Sequence, residues 1–546
     1  MAEAGKPTER STAKVNDGAL STASTLFWLS LVGATYYVLG PPYAQEGWYV
    51  LHPIIWIIPI SVFSKLRPGR AFCYGLFLGT VANIAIYEWL IETLRRFTEI
   101  PVLGVYAFLV VYSIAAGLVI AVFAMGVAPL RRASGSAWPF AVAGWMVVCE
   151  HWIPQFFPYA QGGVWISLPS IFLVAAHTGI AGVSFLALLP SGFAVMVYEL
   201  ARGTSATSAK SARRSAGVGI AVFVLAITLA AHQEARISQA EAEASVFRIA
   251  LVQDSLERAE VRALLRADRS SLTEFLVRLS DEALQRDPEI DVVMWSEGAL
   301  RSAPDTASGL PAREFSERSG VEVWTGALTR DSRSGKPTVY NSVYRIRDGE
   351  VSLPYHKNYL VPISEQMPFS GWLPSLHQLT GAAVGTGGLS AGTELGVFDT
   401  DWARVGFVIC YEAILDTPTR DSVNAGADLL ANFTYEAWFG NTRELDLHLQ
   451  MAQGQAAQLG VPMVRVATIG ITAIIDARGR VVQSGGRFTE EVLVGDVQPL
   501  RAVGLYAALG PWFAWLCTAT SAALLIRGRG ARGSPSNGSA QVRADC

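Results

Sequence analysis

The sequence has few charged residues and none of the motifs that mark a metal or nucleotide site. Asp, Glu, Lys and Arg make up 16% of its 546 residues, hydrophobic residues make up 51%, and the net charge is −3. This balance gives no excess of positive charge for a nucleic acid. Metal-ligand spacings, a phosphate-binding loop and a dinucleotide fingerprint are all missing, so we expect neither a metal nor another cofactor. The positive mean hydropathy of +0.32 indicates that part of the chain lies in a membrane.

Cysteine is also scarce, and its placement is informative. The five cysteines are Cys73, Cys149, Cys410, Cys517 and Cys546. Three lie in apolar runs and one is the last residue, so only Cys410 lies in the more polar part of the chain, where it has no obvious disulfide partner. A free thiol there is explained by catalysis or by burial as a small apolar side chain. Position alone leaves both explanations open.

Hydrophobic residues are concentrated in stretches that approach the length needed to cross a bilayer, about 20 residues. Seven such stretches precede the polar part and an eighth follows it, at about 25–40, 48–64, 71–92, 102–128, 137–153, 166–199, 216–232 and 505–526. The first two are short and fit either tilted spans or a re-entrant pair. No signal peptide is evident before them. We therefore expect a multi-pass α-helical membrane domain with about eight transmembrane helices.

Lys and Arg are distributed unevenly between the predicted loops. They cluster in the N-terminal tail, after the second, fourth and sixth stretches, and after the eighth, whereas none occurs from 133 to 201. Positively charged loops stay in the cytoplasm, so eight spans place both termini inside and residues 233–504 outside. In a bacterium this means the cytoplasmic (inner) membrane, with the polar part on the periplasmic or outer face. An error of one span would reverse this orientation.

The composition predicts five segments. Residues 1–24 form a cytoplasmic tail, 25–232 the membrane domain with seven spans, 246–500 a soluble domain, 505–526 the eighth span, and 527–546 a disordered cytoplasmic tail. Residues 233–246 are expected to be a polar connector. Within 246–500, β-branched runs alternate with stretches of helical spacing, which predicts an α/β sandwich.

Three polar residues of the soluble domain stand at the ends of such runs or loops. A run from Ile290 leads to Glu297, and a polar loop leads to Lys357. A β-branched run from Val405 ends at Cys410. A glutamate can take the thiol proton, and a lysine can stabilise both the thiolate and an oxyanion, so this set fits acyl transfer through a thioester. Spacing alone also allows a surface carboxylate at Glu297 and a solvated charge at Lys357.

The short sequence stretches around these residues resemble the signature regions of the nitrilase (carbon–nitrogen hydrolase) superfamily. The matching stretches are Trp295-Ser-Glu297, His356-Lys357-Asn-Tyr-Leu-Val-Pro362 and Ile409-Cys410-Tyr411-Glu412. This resemblance implies an αββα sandwich and a Glu-Lys-Cys triad. In addition, Phe157-Pro158 followed by Gly179–Leu186 resembles the apolipoprotein N-acyltransferase family, in which a nitrilase-like domain lies between the seventh and eighth of eight transmembrane helices.

The resemblance implies a two-step reaction at Cys410. Glu297 deprotonates the thiol, which takes an acyl chain from a phospholipid, and Lys357 stabilises the tetrahedral intermediates. The α-amino group of a diacylglyceryl-cysteine at a lipoprotein N-terminus then takes the acyl group. Supporting or substrate-binding roles are implied for Glu365, Tyr411, Glu412 and Trp438.

Two alternatives stay open at this point. A membrane-tethered amidase would use the same triad with water as the acceptor, and a non-catalytic scaffold would have lost turnover. The chain departs from the family pattern around Ser364, Tyr435, Gln453, Gln455, Gln458 and Thr468. These departures predict a divergent member whose acyl donor or acceptor differs, and the sequence leaves its preferred phospholipid, client lipoproteins and oligomeric state open.

Overall fold

The computed structural model has a helical N-terminal part and a C-terminal part built on two β-sheets. It describes residues 22–39, 51–98, 100–331, 338–362, 364–366 and 388–533. Most of the two predicted tails therefore lies outside the described residues.

The N-terminal part consists of helices of very different lengths. They are Thr22–Leu39, His52–Ile55, Ile57–Phe63, Pro68–Ile86, Leu90–Phe97, Val102–Ala116, Leu118–Ser134, Trp138–Trp152, Pro169–Phe172, Ala175–Thr178, Ile180–Ala201 and Ala209–Glu243. Among the described residues, four helical segments are long and apolar enough to cross a membrane: Pro68–Ile86, Val102–Trp152, Ile180–Ala201 and Ala209–Glu243. These segments make the chain a membrane protein. The number of eight spans stays a prediction.

The last of these helices is longer than the sequence indicates. The predicted span 216–232 lies inside Ala209–Glu243, which has 35 residues. The predicted connector is therefore helical over most of its length. Its Ala, Glu and Gln residues are strong helix formers and extend the helix beyond the apolar stretch. The polar end of the helix reaches the C-terminal part of the chain.

Thirteen strands follow among the described residues of the C-terminal part. They are β1 (Phe247–Gln253), β2 (Val292–Leu300), β3 (Glu322–Asp331), β4 (Thr338–Arg347), β5 (Glu350–Val351), β6 (Tyr355–His356), β7 (Val397–Asp399), β8 (Arg404–Ile409), β9 (Leu429–Thr434), β10 (Met463–Ala467), β11 (Ala473–Ile475), β12 (Val481–Ser484) and β13 (Glu491–Val497). One sheet has the order β13-β1-β2-β3-β4-β5, with β6 also paired to β4, and the other has the order β12-β11-β10-β9-β8-β7.

The two sheets pack face to face and carry helices on their outer faces. Met294 of the first sheet and Phe407 and Phe433 of the second belong to one buried cluster between the sheets. Helices Ser271–Arg286 and Leu310–Ser319 cover the first sheet. Helices Asp416–Asn424 and Glu444–Leu459 cover the second sheet. This is the αββα sandwich that the sequence predicts.

The C-terminal end differs from the predicted single span and tail. A short helix, Leu505–Leu509, ends at Gly510, whose φ of +60° breaks the helical path. The following helix, Trp512–Gly533, extends into the predicted disordered tail. Glycine and arginine there favour disorder in isolation, but adding residues to an existing helix costs far less than starting one.

A buried arginine joins the long helix Ala209–Glu243 to the sandwich. Arg478, 4% exposed, donates to Glu234 Oε1 at 2.6 Å and to Ser238 Oγ at 2.9 Å, and also pairs with Glu241. Three successive turns of one helix thus contact a single guanidinium. The contact fixes the polar end of the helix against the loop that precedes β12.

Replacing Arg478 with alanine is expected to destabilise this junction. The side chain makes charge-assisted hydrogen bonds in a buried position, so the loss is about 2 kcal/mol. The measurement is the midpoint of thermal unfolding in detergent, followed by tryptophan fluorescence. The matched control is Arg480→Ala, because Arg480 is 56% exposed in its side chain and pairs with Asp476 alone. Equal effects of the two substitutions would contradict this assignment.

Candidate active site

Cys410 stands where β8 leaves the second sheet. The buried residues of β8 end at Ile409, and Cys410 begins a short 3-10 helix, Cys410–Ile414. Its φ is +51°, a left-handed conformation that costs a non-glycine residue about 1–3 kcal/mol. Such strain persists where surrounding contacts impose it, and it is frequent at active sites. The thiol is 8% exposed and faces a cavity described below.

Glu297 lies on β2 of the first sheet and faces the same cavity. Its Oε1 accepts a hydrogen bond from Asn341 Nδ2 at 2.6 Å, and its Oε2 accepts one from the Tyr435 N–H at 2.7 Å. Asn341 comes from β4 and Tyr435 follows β9, so both sheets contribute to fixing this carboxylate. The geometry leaves Glu297 as a positioned proton acceptor.

Lys357 follows β6 and is fully buried. Its Nζ lies 2.8 Å from Glu365 Oε1 and 3.9 Å from Glu297 Oε1. Its backbone N–H donates to the Asn341 carbonyl at 2.8 Å, and Glu365 is held in turn by the Val361 N–H at 2.7 Å. One ammonium group therefore lies between two carboxylates, within electrostatic range of Cys410.

The electrostatics of the three groups follow from this burial. Burial raises the pKa of Cys410 to about 12; the Glu297 charge adds to the effect, and Lys357 opposes it. Burial also raises the pKa of Glu297 to about 6, against the opposing charge of Lys357. For Lys357, burial lowers the pKa, but Glu365 and Glu297 outweigh it and keep the pKa above its usual value. At neutral pH the site therefore contains a thiol, an ionised Glu297 and an ammonium.

The other predicted residues have different positions. Tyr411 and Trp438 line the cavity; the Tyr411 hydroxyl donates to the Phe156 carbonyl, and the Trp438 ring lies 4.1 Å from the ring of Phe97. Glu412 is fully buried outside the cavity lining. Its carboxylate accepts hydrogen bonds from the Tyr355 hydroxyl and from the N–H groups of Asn358, Tyr359 and Ile409, at 2.7–3.0 Å.

The cavity has a volume of about 170 Å³ and lies between the two parts of the chain. The side that the sandwich contributes includes Glu297, Glu365 and Cys410. Its other wall consists of apolar and aromatic side chains from the N-terminal helices and the loop after them: Trp89, Leu90, Leu94, Phe108, Tyr112, Phe156 and Phe157. An acyl chain is the kind of ligand such walls accommodate.

Sequence reasoning did not find Asn341. It lies in the middle of β4, where Asn341-Ser342 interrupts a run of large side chains. A polar pair inside an otherwise buried strand was the available signal. His448 also lines the cavity and bonds Glu436 at 2.8 Å, although packing or capping of a helix is the simpler prediction for it.

The glutamines at the altered family positions form a network away from Cys410. Gln455 and Gln458 donate to Asp416 Oδ1 at 3.0 and 2.7 Å, and Gln455 accepts from Thr419 at 3.0 Å. Gln453 donates to the Gly479 carbonyl at 2.7 Å. These contacts tie helix Glu444–Leu459 to its neighbours without any buried charge on the helix at these positions.

Comparisons with known proteins follow the same division of the chain. Residues 248–504 match the carbon-nitrogen hydrolase family, and residues 23–193 match the apolipoprotein N-acyltransferase N-terminal domain. Together with the αββα sandwich, the first match defines the C-terminal part as a nitrilase-like domain. The predicted fold class, a helical membrane part joined to this sandwich, is confirmed.

Similar full-length proteins name the family more narrowly. The apolipoprotein N-acyltransferase of Brucella suis is 30% identical over 83% of this chain and 86% of its own length. That of Geobacter metallireducens is 28% identical over 86% of this chain and 90% of its own length. The chain belongs to the apolipoprotein N-acyltransferase family, as its sequence predicts. Among solved structures, Nit3 of Saccharomyces cerevisiae, a member of the nitrilase superfamily, is 17% identical and covers 48% of this chain and 94% of its own, with a TM-score of 0.37.

Substitution of Asn341 with leucine is expected to move the pH dependence of Cys410 reactivity. The lost hydrogen bond stabilises ionised Glu297, so the pKa of Glu297 rises above about 6. Because only the ionised carboxylate accepts the thiol proton, reactivity then falls at a higher pH than in the wild type. The measurement is the rate of Cys410 alkylation by iodoacetamide against pH, by peptide mass spectrometry.

The control for this substitution is the adjacent residue. Ser342→Ala removes a hydroxyl that contacts His356 Nδ1 at 2.7 Å, outside the triad, and should leave the profile in place. An unchanged profile in Asn341→Leu would show that the Asn341 contact does not set the ionisation of Glu297.

Proposed function

We propose that this chain transfers an acyl group from a phospholipid to the α-amino group of the diacylglyceryl-cysteine of apolipoproteins, through a thioester on Cys410. One observation carries the proposal. Glu297 and Cys410 line one cavity, Lys357 lies 3.9 Å from Glu297, and the opposite wall of the cavity carries apolar side chains from the membrane-associated helices. Family membership adds the acceptor class, because the relatives bear the name apolipoprotein N-acyltransferase.

In the first half-reaction Glu297 takes the thiol proton of Cys410. The thiolate attacks the ester carbonyl carbon of the phospholipid, and Lys357 and the Tyr411 N–H stabilise the oxyanion. The carbon–oxygen bond to glycerol then breaks. Glu297 returns its proton to the departing alkoxide, which leaves as a lysophospholipid, and the acyl group remains on Cys410.

In the second half-reaction the acceptor amine attacks the thioester. The oxyanion forms again beside Lys357, the carbon–sulfur bond breaks, and Cys410 regains a proton through Glu297. Glu365 contributes by holding the Lys357 ammonium at 2.8 Å. Tyr411 and Trp438 form parts of the cavity through which both substrates reach the thiol. Glu412 lies outside the cavity lining and supports the site through its hydrogen bonds to Ile409, Asn358 and Tyr359.

The proposal includes an arrangement in the inner membrane. Eight spans, seven within 25–232 and one at 505–526, would place both tails in the cytoplasm and the domain 246–500 on the outer face. The bias of Lys and Arg toward alternate loops supports this orientation. Both substrates are held in the membrane, and a cavity between helices and sandwich suits them.

Incubating the full-length protein with phospholipid alone is expected to add an acyl group to Cys410. A thioester is cleaved by hydroxylamine, so the adduct should disappear after that treatment. Intact-protein and peptide mass spectrometry measure the adduct and the released lysophospholipid. Cys410→Ala should give neither product, whereas Cys149→Ala, which removes another buried thiol, should behave as the wild type.

Adding a diacylglyceryl peptide separates the candidate reactions. Transfer of the acyl group to its α-amino group supports the acyltransferase. Release of free fatty acid at the same rate with and without peptide would mean that water is the acceptor, as in an amidase-type hydrolase. Absence of any adduct or lysophospholipid in the wild type would exclude the phospholipid donor and favour a scaffold or a small-amide substrate.

The orientation is tested with an introduced cysteine. Leu353, between β5 and β6, is 85% exposed. In a background with Cys73 and Cys546 replaced by serine, Leu353→Cys should react with a membrane-impermeant maleimide in intact spheroplasts. Arg67→Cys, in a loop expected to face the cytoplasm, should react only after the membrane is opened. Reaction of both cysteines only after the membrane is opened would mean that the number of spans before the sandwich is even, and the reverse pattern would mean that the whole chain is inverted in the membrane.

A further inference from the structure

A third carboxyl group lines the Cys410 cavity, and within the described residues it has no bonded partner. Glu444 is the first residue of helix Glu444–Leu459, is 3% exposed, and lines the same cavity as Cys410 and Glu297. Among the described residues no hydrogen bond or ion pair to its carboxyl group is found, although buried carboxyl groups are normally bonded. The triad does not use it, and the contacts around it do not explain it as a structural ion pair.

The helix places Glu444 one turn before a residue that contacts Cys410. His448 lies four residues later, hence on the same helix face, and its ring contacts the backbone of Cys410. The aromatic ring of Phe439 lies 6.3 Å from the ring of His448 and forms another part of the cavity wall. The Glu444 carboxyl group therefore belongs to the wall that the sandwich contributes to the Cys410 cavity, and it faces Tyr112 of the membrane part.

The surroundings of Glu444 increase the affinity of its carboxylate for a proton. Burial raises the pKa of Glu444 well above its usual value, and the neighbouring charge of Glu436 adds to the effect. Arg443 opposes it but does not reverse it. The titratable and charged groups that face Glu444 come from several elements: Tyr87, Tyr112, Glu436, Arg443, Asp446, His448 and Arg465. The ionised form of this carboxyl group is therefore a stronger base than an ordinary glutamate carboxylate, and in that form it can take a proton from an α-ammonium group, whose ordinary pKa is about 7.7–8.0.

The second half-reaction needs such a group. An amino acceptor arrives largely as an ammonium ion, which has no lone pair to attack a thioester, and amide formation removes two N–H protons from it. Glu297 can account for one, which passes to the departing Cys410 sulfur. The first proton must leave before attack and needs a different acceptor. In an apolar cavity, an ammonium beside a carboxylate can relax to an amine and a carboxylic acid, which removes two buried charges.

We propose that Glu444 takes the first proton from the α-ammonium group of the acceptor and so provides the free amine that attacks the acyl-cysteine. This inference rests on the proposed function. The amine nitrogen forms the new bond to the thioester carbonyl carbon. Its second proton passes through Glu297 to the Cys410 sulfur as the carbon–sulfur bond breaks. Glu444 then releases its proton to water, so that one ammonium and one thioester give one amide, one thiol and one proton.

The test separates the two half-reactions in the full-length protein. Wild type, Glu444→Gln, Glu444→Asp and the control Glu282→Gln are acylated with phospholipid, freed of donor, and mixed with a diacylglyceryl peptide. Mass spectrometry of Cys410 follows both steps at several pH values. Glu282 is a suitable control because it pairs with Arg278 outside the cavity lining and does not face Glu444.

Acylation of Glu444→Gln should stay close to that of the wild type. Its aminolysis should be slower by about 100-fold below the amine pKa. The difference in aminolysis rate between Glu444→Gln and the wild type should disappear as the pH rises above about 8, because the acceptor is then already a free amine in solution. Glu444→Asp should recover part of the rate, and Glu282→Gln should match the wild type in both steps.

Each other outcome has a definite meaning. If Glu444→Gln shows the same aminolysis rate as the wild type across the pH range, this inference is overturned and the proposed function stays intact. Loss of the acylation step in either Glu444 variant would also overturn it, because the carboxyl group would then be required before any amine arrives. If the wild type itself forms no acyl-enzyme, the proposed function is wrong and the inference falls with it.

Discussion

The buried carboxylate of Glu412 determines the relative position of Cys410 and Lys357. It accepts the N–H of Ile409 on one side and the N–H groups of Asn358 and Tyr359 on the other. The first of these precedes Cys410 and the others follow Lys357, so one side chain joins the end of β8 to the lysine loop. A buried carboxylate without such donors would be costly, and each donor without the carboxylate would be unpaired. The left-handed conformation of Cys410 is maintained by this mutual dependence.

The charges of the site explain why the thiol can stay protonated at rest and still react. Glu297, Glu365 and Lys357 together carry one net negative charge before reaction. A free thiolate would add another in a buried cavity, and burial raises the pKa of Cys410 accordingly. Transfer of the proton from Cys410 to Glu297 leaves the net charge unchanged. The positive charge of Lys357 then faces either the thiolate or the oxyanion. The net charge of the site therefore stays constant, and no ion has to enter it from solvent.

Much of the architecture could be predicted from local sequence. Apolar runs that end in Glu297 and Cys410 predict buried strands with polar ends. The sequence motifs around these two residues carry the family resemblance. Contacts between distant segments could not be predicted in this way. Asn341 bonds Glu297 across 44 residues of chain, and Glu444 reaches the cavity only because its helix packs on the outer face of the second sheet.

The helix boundaries show a second limit of sequence reasoning. Hydropathy locates the apolar part of a span, but the helix Ala209–Glu243 continues because its polar end finds Arg478 on the sandwich. A polar, alanine-rich segment is predicted to be a connector when the residue that it packs against is unknown. The helical propensity of this segment was visible in the sequence. The buried arginine that it contacts lies 235 or more residues later, which is too far for any local sequence pattern to reveal.

The wall of the cavity bears on which acceptor reaches the thioester. A Glu-Lys-Cys set can pass an acyl group to water or to an amine, so the choice depends on access to the cavity. The rings of Tyr112 and Phe156 lie 6.0 Å apart, and those of Trp89 and Phe157 lie 5.2 Å apart, which gives a continuous aromatic surface opposite Cys410. Water gains few hydrogen bonds beside such a surface, whereas a lipid-bearing acceptor buries its chains against it. Apolar walls around a charged triad thus favour aminolysis by a lipid-bound amine over hydrolysis.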